Sequence, residues 1–337
     1  MRIAVDGMGG DNAPAEIVKG CVQAAALIKD DIYLVGKSGL LEKELKKYKF
    51  NREQIHIVHA PDVIENEDAP VRAVRTKKES SMVVGLNMVK SGEADLFISA
   101  GNTGALMAGS LFILGRIQGI DRPAIAATYP ILGKGVSLLV DSGANAECKP
   151  NNLLEFATMG SIYMEKVLGI KNPKVGLVNI GAEESKGTTV LKAAYELLSK
   201  SNLNFRGNLE ARNVPKGNAD VIVCDGFTGN VILKLTEGLA WNILKLIKGK
   251  FTAGFIPKMG AALLAGKLKE LKNEFDYSEY GGAPILGVKG AVVKMHGSSM
   301  ANGVKNTILK GIPFAENNVV QIIQNSVLEL EEIVISE

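Results

Sequence analysis

Hydrophobic and polar positions along this chain follow two alternating periods. Short, β-branched runs predict strands at Arg2–Asp6, Ile32–Val35, Gln54–His59, Asp95–Ser99, Ala124–Thr128, Val136–Asp141, Lys174–Ile180, Asn204–Asn208, Val221–Asp225 and Ala291–His296. Several are apolar throughout, such as SLLV, VGLVNI and VIVC, rather than at every second residue. Such strands are buried on both faces, as in a parallel sheet covered by helices. Between them, Ile17, Val18, Cys21, Val22, Ala25 and Ile28 recur at helical spacing behind Pro14, at a helix start where no N–H is needed. The same period predicts helices at Ser80–Ser91, Gly104–Ile117, Leu153–Leu168, Thr188–Ser199, Asn230–Lys248, Ala261–Asn273 and Asn318–Glu332. This alternation implies βαβ units and a three-layer, doubly wound, mostly parallel α/β fold. Without an internal repeat or a low-complexity linker, residues 1–337 read as one domain. Thr252–Tyr280 breaks the rhythm and reads as an inserted helical element.

Composition acts mainly by exclusion. A 337-residue chain that is 46% hydrophobic can bury a large core. Aromatics at 5% and a net charge of +3 argue against nucleic acid as a partner. Cys21, Cys148 and Cys224 form no C-x-x-C pair, which fits a reducing compartment. The opening MRIAVDGMGGD has no apolar signal region and no run of 18 apolar residues follows, so a cytoplasmic location is expected.

Candidate chemistry lies just beyond the strands. DGMGGDNAP, ISAGNTGAL, DSGAN, GAEESKG and DGFTGN each place Gly with Asp, Asn, Ser or Thr after a buried run. In open α/β sheets the carboxyl ends share one edge, and ligands bind there. One such loop is ordinary turn and cap chemistry. Five together predict a shared edge that favours anions. Ala100–Ala105 (AGNTGA) is the leading anion loop, with Gly101 and Gly104 freeing the backbone and Asn102 and Thr103 adding hydrogen bonds. It lacks the Lys-Ser/Thr pair of a nucleotide P-loop. Gly7–Asn12 (GMGGDN) misses the dinucleotide fingerprint at its last position, and the second strand ends without an acid.

No cofactor or metal is expected. His56, His59 and His296 form no metal-binding pair, and nothing in the spacing of Asp6, Asp11, Asp141, Glu183, Glu184 and Asp225 requires Mg²⁺. G-x-S-x-G is absent, and the three cysteines read as structural. Group transfer would then proceed by holding two substrates together and stabilising developing charge, without a covalent intermediate.

The loops, taken in order, resemble the PlsX family of acyl-acyl-carrier-protein:phosphate acyltransferases of bacterial phospholipid synthesis. The resemblance runs from AVDGMGGD with Pro14 through Asp68–Met82, Ile98–Met107, Gly115–Ala124, the DSGAN loop, KPNNL, MGSIYM, Val175–Gly187, GNLEAR, DGFTGNVILK, Tyr280–Gly287 and HGSS at His296–Ser299. It covers essentially the whole chain. Gly7 stands where the family usually has Ala, and Asn12 where it often has His. The resemblance implies a fold like that of isocitrate and isopropylmalate dehydrogenases and phosphotransacetylases, in a homodimer. It implies that a fatty acyl thioester on acyl carrier protein and inorganic phosphate give acyl phosphate. That product would feed a membrane acyltransferase acting on glycerol 3-phosphate.

Under that reading AGNTGA and the DGMGGD loop hold phosphate, with Asp6, Gly9, Gly10, Asp11, Gly101, Thr103, Gly104, Asn145, Asp225, Thr228 and Asn230 at the binding edge. Asn102, Lys186 and His296 are the candidate catalytic residues: Lys186 to offset negative charge, His296 to donate to the oxyanion or leaving thiolate. From Lys245 to Lys272, seven lysines face the single acid Glu270, interleaved with Phe251, Phe255, Ile256, Met259, Leu263, Leu264 and Leu268. This basic amphipathic element suits an anionic membrane surface, acidic acyl carrier protein, or a partner subunit. The competing readings are a decarboxylating NAD(P)-dependent dehydrogenase on the same fold and a non-enzymatic regulator that binds acyl chains or carrier protein.

Overall fold

The computed structural model describes residues 1–131, 133, 135–274 and 281–335. Strands are β1 (Arg2–Asp6), β2 (Asp31–Gly36), β3 (Ile55–His59), β4 (Leu96–Ser99), β5 (Ala124–Ile131), β6 (Gly135–Val140), β7 (Val175–Asn179), β8 (Phe205–Glu210), β9 (Val221–Val223), β10 (Ala283–Leu286) and β11 (Ala291–Lys294). Ten of them stand where the hydrophobic runs place them. The addition is β10, whose four residues APIL include a proline and are flanked by glycines, a pattern that reads as a turn.

Helices are α1 (Ala15–Ala25), α2 (Ser38–Leu45), α3 (Pro70–Thr76), α4 (Ser81–Lys90), α5 (Thr103–Gly109), α6 (Pro150–Lys166), α7 (Thr189–Lys200), α8 (Gly226–Thr252), α9 (Phe255–Leu263), α10 (Ala265–Glu274), α11 (Ala301–Glu316) and α12 (Val319–Ile335). A π-helical turn, Ser110–Leu114, prolongs α5. The sequence pattern misses α2, α3 and α11. The last carries Gly303, Gly311 and Pro313, which mask its period. It packs against α1 at Gly20, where a β-carbon would collide with Val304. The expected helix at 261–273 is split at Leu264 into α9 and α10. Of the inserted element, residues 275–280 lie outside the described residues, as do the side chains of Lys269 and Lys272.

The strands form one sheet in the order β3-β2-β1-β4-β11-β10-β5-β6-β9-β7-β8. The two flanks are parallel, but β10 runs antiparallel to both β11 and β5, and β5 antiparallel to β6. Three successive reversals make the flanks run in opposite directions. The expectation of one shared edge is therefore corrected. The loops after β1, β4 and β11 lie at one edge, and those after β6, β7 and β9 at the other. Hydrophobic patterning reports how deeply a strand is buried, not which way it points.

Helices cover both faces. On one, a single core runs through both flanks, joining Ile3, Val5 and Ile98 to Leu138, Val140 and Leu177 beneath α1, α11 and α6. On the other face the core is divided. Ala4, Phe97, Leu86 and Leu106 pack under α4 and α5, whereas Tyr129, Leu139 and Ile222 pack under α8. Between them, over the short strand β10 and its neighbour β5, the sheet face is open. β10 spans only about 13 Å, so loops from opposite edges can line one cleft there.

Candidate active site

Asp6 closes β1 with its carboxylate buried. Its Oδ1 accepts from the Met8 and Gly9 N–H groups at 3.1 and 3.0 Å, and its Oδ2 accepts from Ser99 Oγ at 2.7 Å. Ser99 Oγ in turn accepts from Gly101 N–H at 3.0 Å. A β-carbon on Gly9 would lie 2.7 Å from Gly101 N, so the two loops touch through their main chains. Gly10, at φ +96°, packs on Ala100 and on the Gly297 carbonyl. Asp11 N–H donates to that same carbonyl at 2.9 Å, and Asn12 Nδ2 donates to Ser298 O at 3.2 Å. The loops after β1, β4 and β11 are thus one hydrogen-bonded block. Asp6, Gly9, Gly10 and Gly101 build it, with their polar groups directed at one another. Asp11 is exposed beside it, with Asn66 Nδ2 3.4 Å from its Oδ1.

Asn102 is also committed. Its Oδ1 accepts from Ala105 N–H at 3.0 Å as the N-cap of α5. Its Nδ2 donates to the carbonyls of Glu65, Asn66 and Asp68. Every polar atom of that side chain is thus bonded within the fold. Gly104 packs against Pro70, whose Cγ would meet a β-carbon at 2.8 Å. Thr103, between them, lines the cleft.

The opposite edge repeats the device. Asp141 is fully buried after β6, and its carboxylate accepts from the N–H groups of Ile125, Gly143, Ala144 and Asn145. Burial pushes its pKa up, and those N–H groups oppose the shift. Asn145 Nδ2 donates to Pro123 O and Asp141, while Gly226 N–H donates to Asn145 O. Asp225 caps α8, taking both the Thr228 N–H at 2.8 Å and the Thr228 hydroxyl at 2.9 Å. Asn145, Asp225 and Thr228 are therefore braces. Asn230, one turn into α8, lines the cleft beside Gly143.

The cleft encloses about 930 Å³, with β5 and β10 as its floor and α8 as one wall. Lys294, the last residue of β11, is buried there. Its Nζ donates to Ala100 O at 3.3 Å and to Met295 O. No carboxylate of a described residue lies within salt-bridge distance. Burial pulls its pKa down to about 8, and the more distant Asp6 and Asp11 oppose the shift. His296 stands two residues on, at the mouth. Ser298 N–H donates to its Nδ1 at 3.2 Å, and Ser298 Oγ lies 2.8 Å from the same nitrogen. A ring nitrogen that accepts an N–H carries no proton, so the neutral ring has its proton on Nε2. Partial burial, then the charge of Lys234, holds this imidazole below its usual pKa. Lys234 lines the wall, paired with Glu237 at 3.0 Å.

Lys186 is exposed on the loop after β7 and does not line the cleft. That loop is separated from β6 by β9, at a flank of the sheet. The three thiols are poorly placed to ionise. Cys21 and Cys224 are buried, and burial with nearby Asp141 and Asp225 pushes Cys148 up to about 12.

Of the residues singled out from sequence, the cleft brings together Thr103, Asn230 and His296. It also takes in Ser142 and Gly143 of the DSGAN loop, and it adds Lys294 and Lys234. A signal for Lys294 was present, because VVK ends an apolar strand with a charge two residues before His296. Its burial depends on β4 and β10 flanking it, which no local pattern states.

Similarity to known proteins supplies the enzyme class. The chain matches the family described as "Fatty acid synthesis protein" over residues 1–322. It is 56% identical over 330 residues to the phosphate acyltransferase of Alkaliphilus oremlandii, covering 98% of both chains. It is 52% identical over 332 residues to that of Clostridioides difficile, again covering 98% of each. Among solved structures, a phosphotransacetylase from Streptococcus pyogenes matches with TM-score 0.62 at 18% identity, covering 94% of each chain. A 4-hydroxythreonine-4-phosphate dehydrogenase from Klebsiella pneumoniae matches with TM-score 0.56 at 12% identity, covering 93% of this chain and 99% of its own. These two likenesses concern the fold alone. The protein is an acyltransferase. It belongs to the PlsX family of fatty acid synthesis proteins.

Proposed function

We propose that this protein transfers a fatty acyl group from acyl carrier protein to inorganic phosphate by direct attack of phosphate bound in the cleft. One observation carries the reading: Lys294 is a buried cation at the cleft floor with only carbonyl partners. A buried charge is costly unless paired, so the site favours an anion. Phosphate bound against Lys294, with Thr103 and Asn230 beside it, would be held facing a thioester entering the cleft. A phosphate oxygen attacks the carbonyl carbon, and the His296 Nε2–H donates to the oxyanion. Collapse breaks the C–S bond and releases thiolate.

Lys294 has a pKa of about 8, close to that of a thiol at roughly 8.5. Its ammonium can therefore give the thiolate a proton and take the phosphate's own proton in return. The balance is thioester plus hydrogen phosphate to acyl phosphate plus thiol. Acyl phosphate would then supply a membrane acyltransferase acting on glycerol 3-phosphate. The sheet would be of the isocitrate/isopropylmalate dehydrogenase type. Apolar stripes on α8 and α9 support two further parts of the reading, a homodimer and peripheral association with an anionic membrane. The deciding experiment mixes protein, acyl-carrier-protein thioester and phosphate. Thiol release that depends on phosphate, with acyl phosphate trapped as its hydroxamate, is expected, and release independent of phosphate would remove the reading.

A further inference from the structure

The edge of the cleft at Thr103 adjoins α3, because Gly104 lies against Pro70 at the start of that helix. The inner face of α3 buries Ala73 and Val74 against α4 and α5. Its outer face carries a shallow apolar groove formed by Ala69, Pro70, Val71 and Thr76, with Arg72 and Arg75 on its rim. Val71 is 47% exposed and Phe112 51% exposed. The Arg75 guanidinium lies 5.0 Å from the centre of the exposed Phe112 ring, a cation–π contact. Arg72, Arg75 and Lys78 meet no carboxylate within 4.0 Å among the described residues, whereas Lys77 is paired with Asp68 at 2.5 Å. The nearest acid before the helix, Asp68, is taken up by Lys77, and Glu65 and Glu67 before the helix and Glu79 after it flank Arg72 and Arg75 without pairing with them.

We propose that the outer face of α3 is the docking surface for an acidic carrier protein, which delivers its acyl thioester into the cleft past Thr103. This rests on the reading of the substrate given above. Arginines beside exposed apolar side chains suit a negatively charged protein surface that also offers an apolar contact. Steering by unpaired surface cations acts on encounter and falls with salt. The position at the cleft's rim puts the partner outside while its prosthetic arm reaches the floor.

The experiment compares wild type with Arg72→Glu/Arg75→Glu and the milder Arg72→Gln/Arg75→Gln. Binding of fluorescently labelled holo-carrier protein is followed by anisotropy at two salt concentrations. KM is measured for acyl-carrier protein and for acyl-N-acetylcysteamine, a small thioester. Carrier binding should weaken by about tenfold or more in the reversed variant. KM for acyl-carrier protein should rise in step, with kcat and small-thioester turnover unchanged. Unchanged carrier binding overturns the proposal, and so does an equal loss with both thioesters. The binding readout does not depend on turnover, so wild type that binds carrier through α3 but releases no thiol would refute the reaction and leave the docking surface standing.

Discussion

Ser99 Oγ donates to Asp6 Oδ2 at 2.7 Å, and this single contact ties the loop after β4 to the loop after β1. Both groups are buried, so neither can turn to water. Ser99→Ala leaves a buried carboxylate oxygen and the Gly101 N–H without that partner. The expected loss of stability is about 1–3 kcal/mol, measured by urea unfolding. Thiol release should fall with it, because Thr103 is carried on the same block. An unchanged unfolding midpoint would show that the contact does not hold the loops.

Lys294 and Lys186 make opposite predictions. Lys186→Ala, outside the cleft, should leave phosphate-dependent turnover close to wild type. Lys294→Met should reduce kcat/KM by about a hundredfold or more, as when a charge-stabilising donor is removed. Equal, severe losses at the two positions would return the catalytic charge to the loop after β7.

The same substitution has a calculable effect on stability. A shift of the Lys294 pKa from 10.5 to about 8 corresponds to roughly 3 kcal/mol of burial penalty. Below about pH 8 the ammonium is charged in both folded and unfolded chains, and the penalty is fully present. Between about 8 and 10.5 the unfolded chain keeps a proton that the folded one has lost, so stability rises with pH. Lys294→Met should remove that rise. It also leaves the Ala100 and Met295 carbonyls without their donor, so the melting temperature near neutral pH should stay within a few degrees of wild type. A collapse of stability would mean that the lysine is structural.

Turnover should show the same group. In wild type, kcat/KM for phosphate should decline above about pH 8 as Lys294 loses its proton. Arginine stays charged throughout that range. Lys294→Arg should therefore flatten the alkaline limb while lowering kcat, because guanidinium cannot return a proton to the thiolate. An alkaline limb identical in both proteins would assign it elsewhere.

On α9, Phe255 is 78% and Leu263 87% exposed, and no residue of that helix is buried. Lys258 and Lys267 flank these apolar positions. Phe255→Glu/Leu263→Glu should abolish flotation with anionic liposomes while leaving soluble thiol release unchanged. Undiminished flotation would remove the membrane reading of this segment.

The local elements and the chemistry of their ends are legible in the residue pattern. Continuous apolar runs are readable because burial on both faces leaves no polar position in a strand. Asp, Asn and Thr beyond those runs announce caps and turns, as Asp225 and Asn102 then show. What it could not supply was direction and distance. The strand order puts Lys186 at a flank, and the reversals at β10, β5 and β6 bring Ser142 and Gly143 to the cleft from the far edge. Glycines that read as room for a ligand, Gly9, Gly10 and Gly104, turn out to give room for neighbouring loops and Pro70. Lys294 reads as an ordinary charge at the end of a strand, and folding buries it with no carboxylate of a described residue within salt-bridge distance. That burial and the lowered pKa need Ala100, almost two hundred residues away in sequence, to close with β10 and the neighbouring Met295 carbonyl around one Nζ.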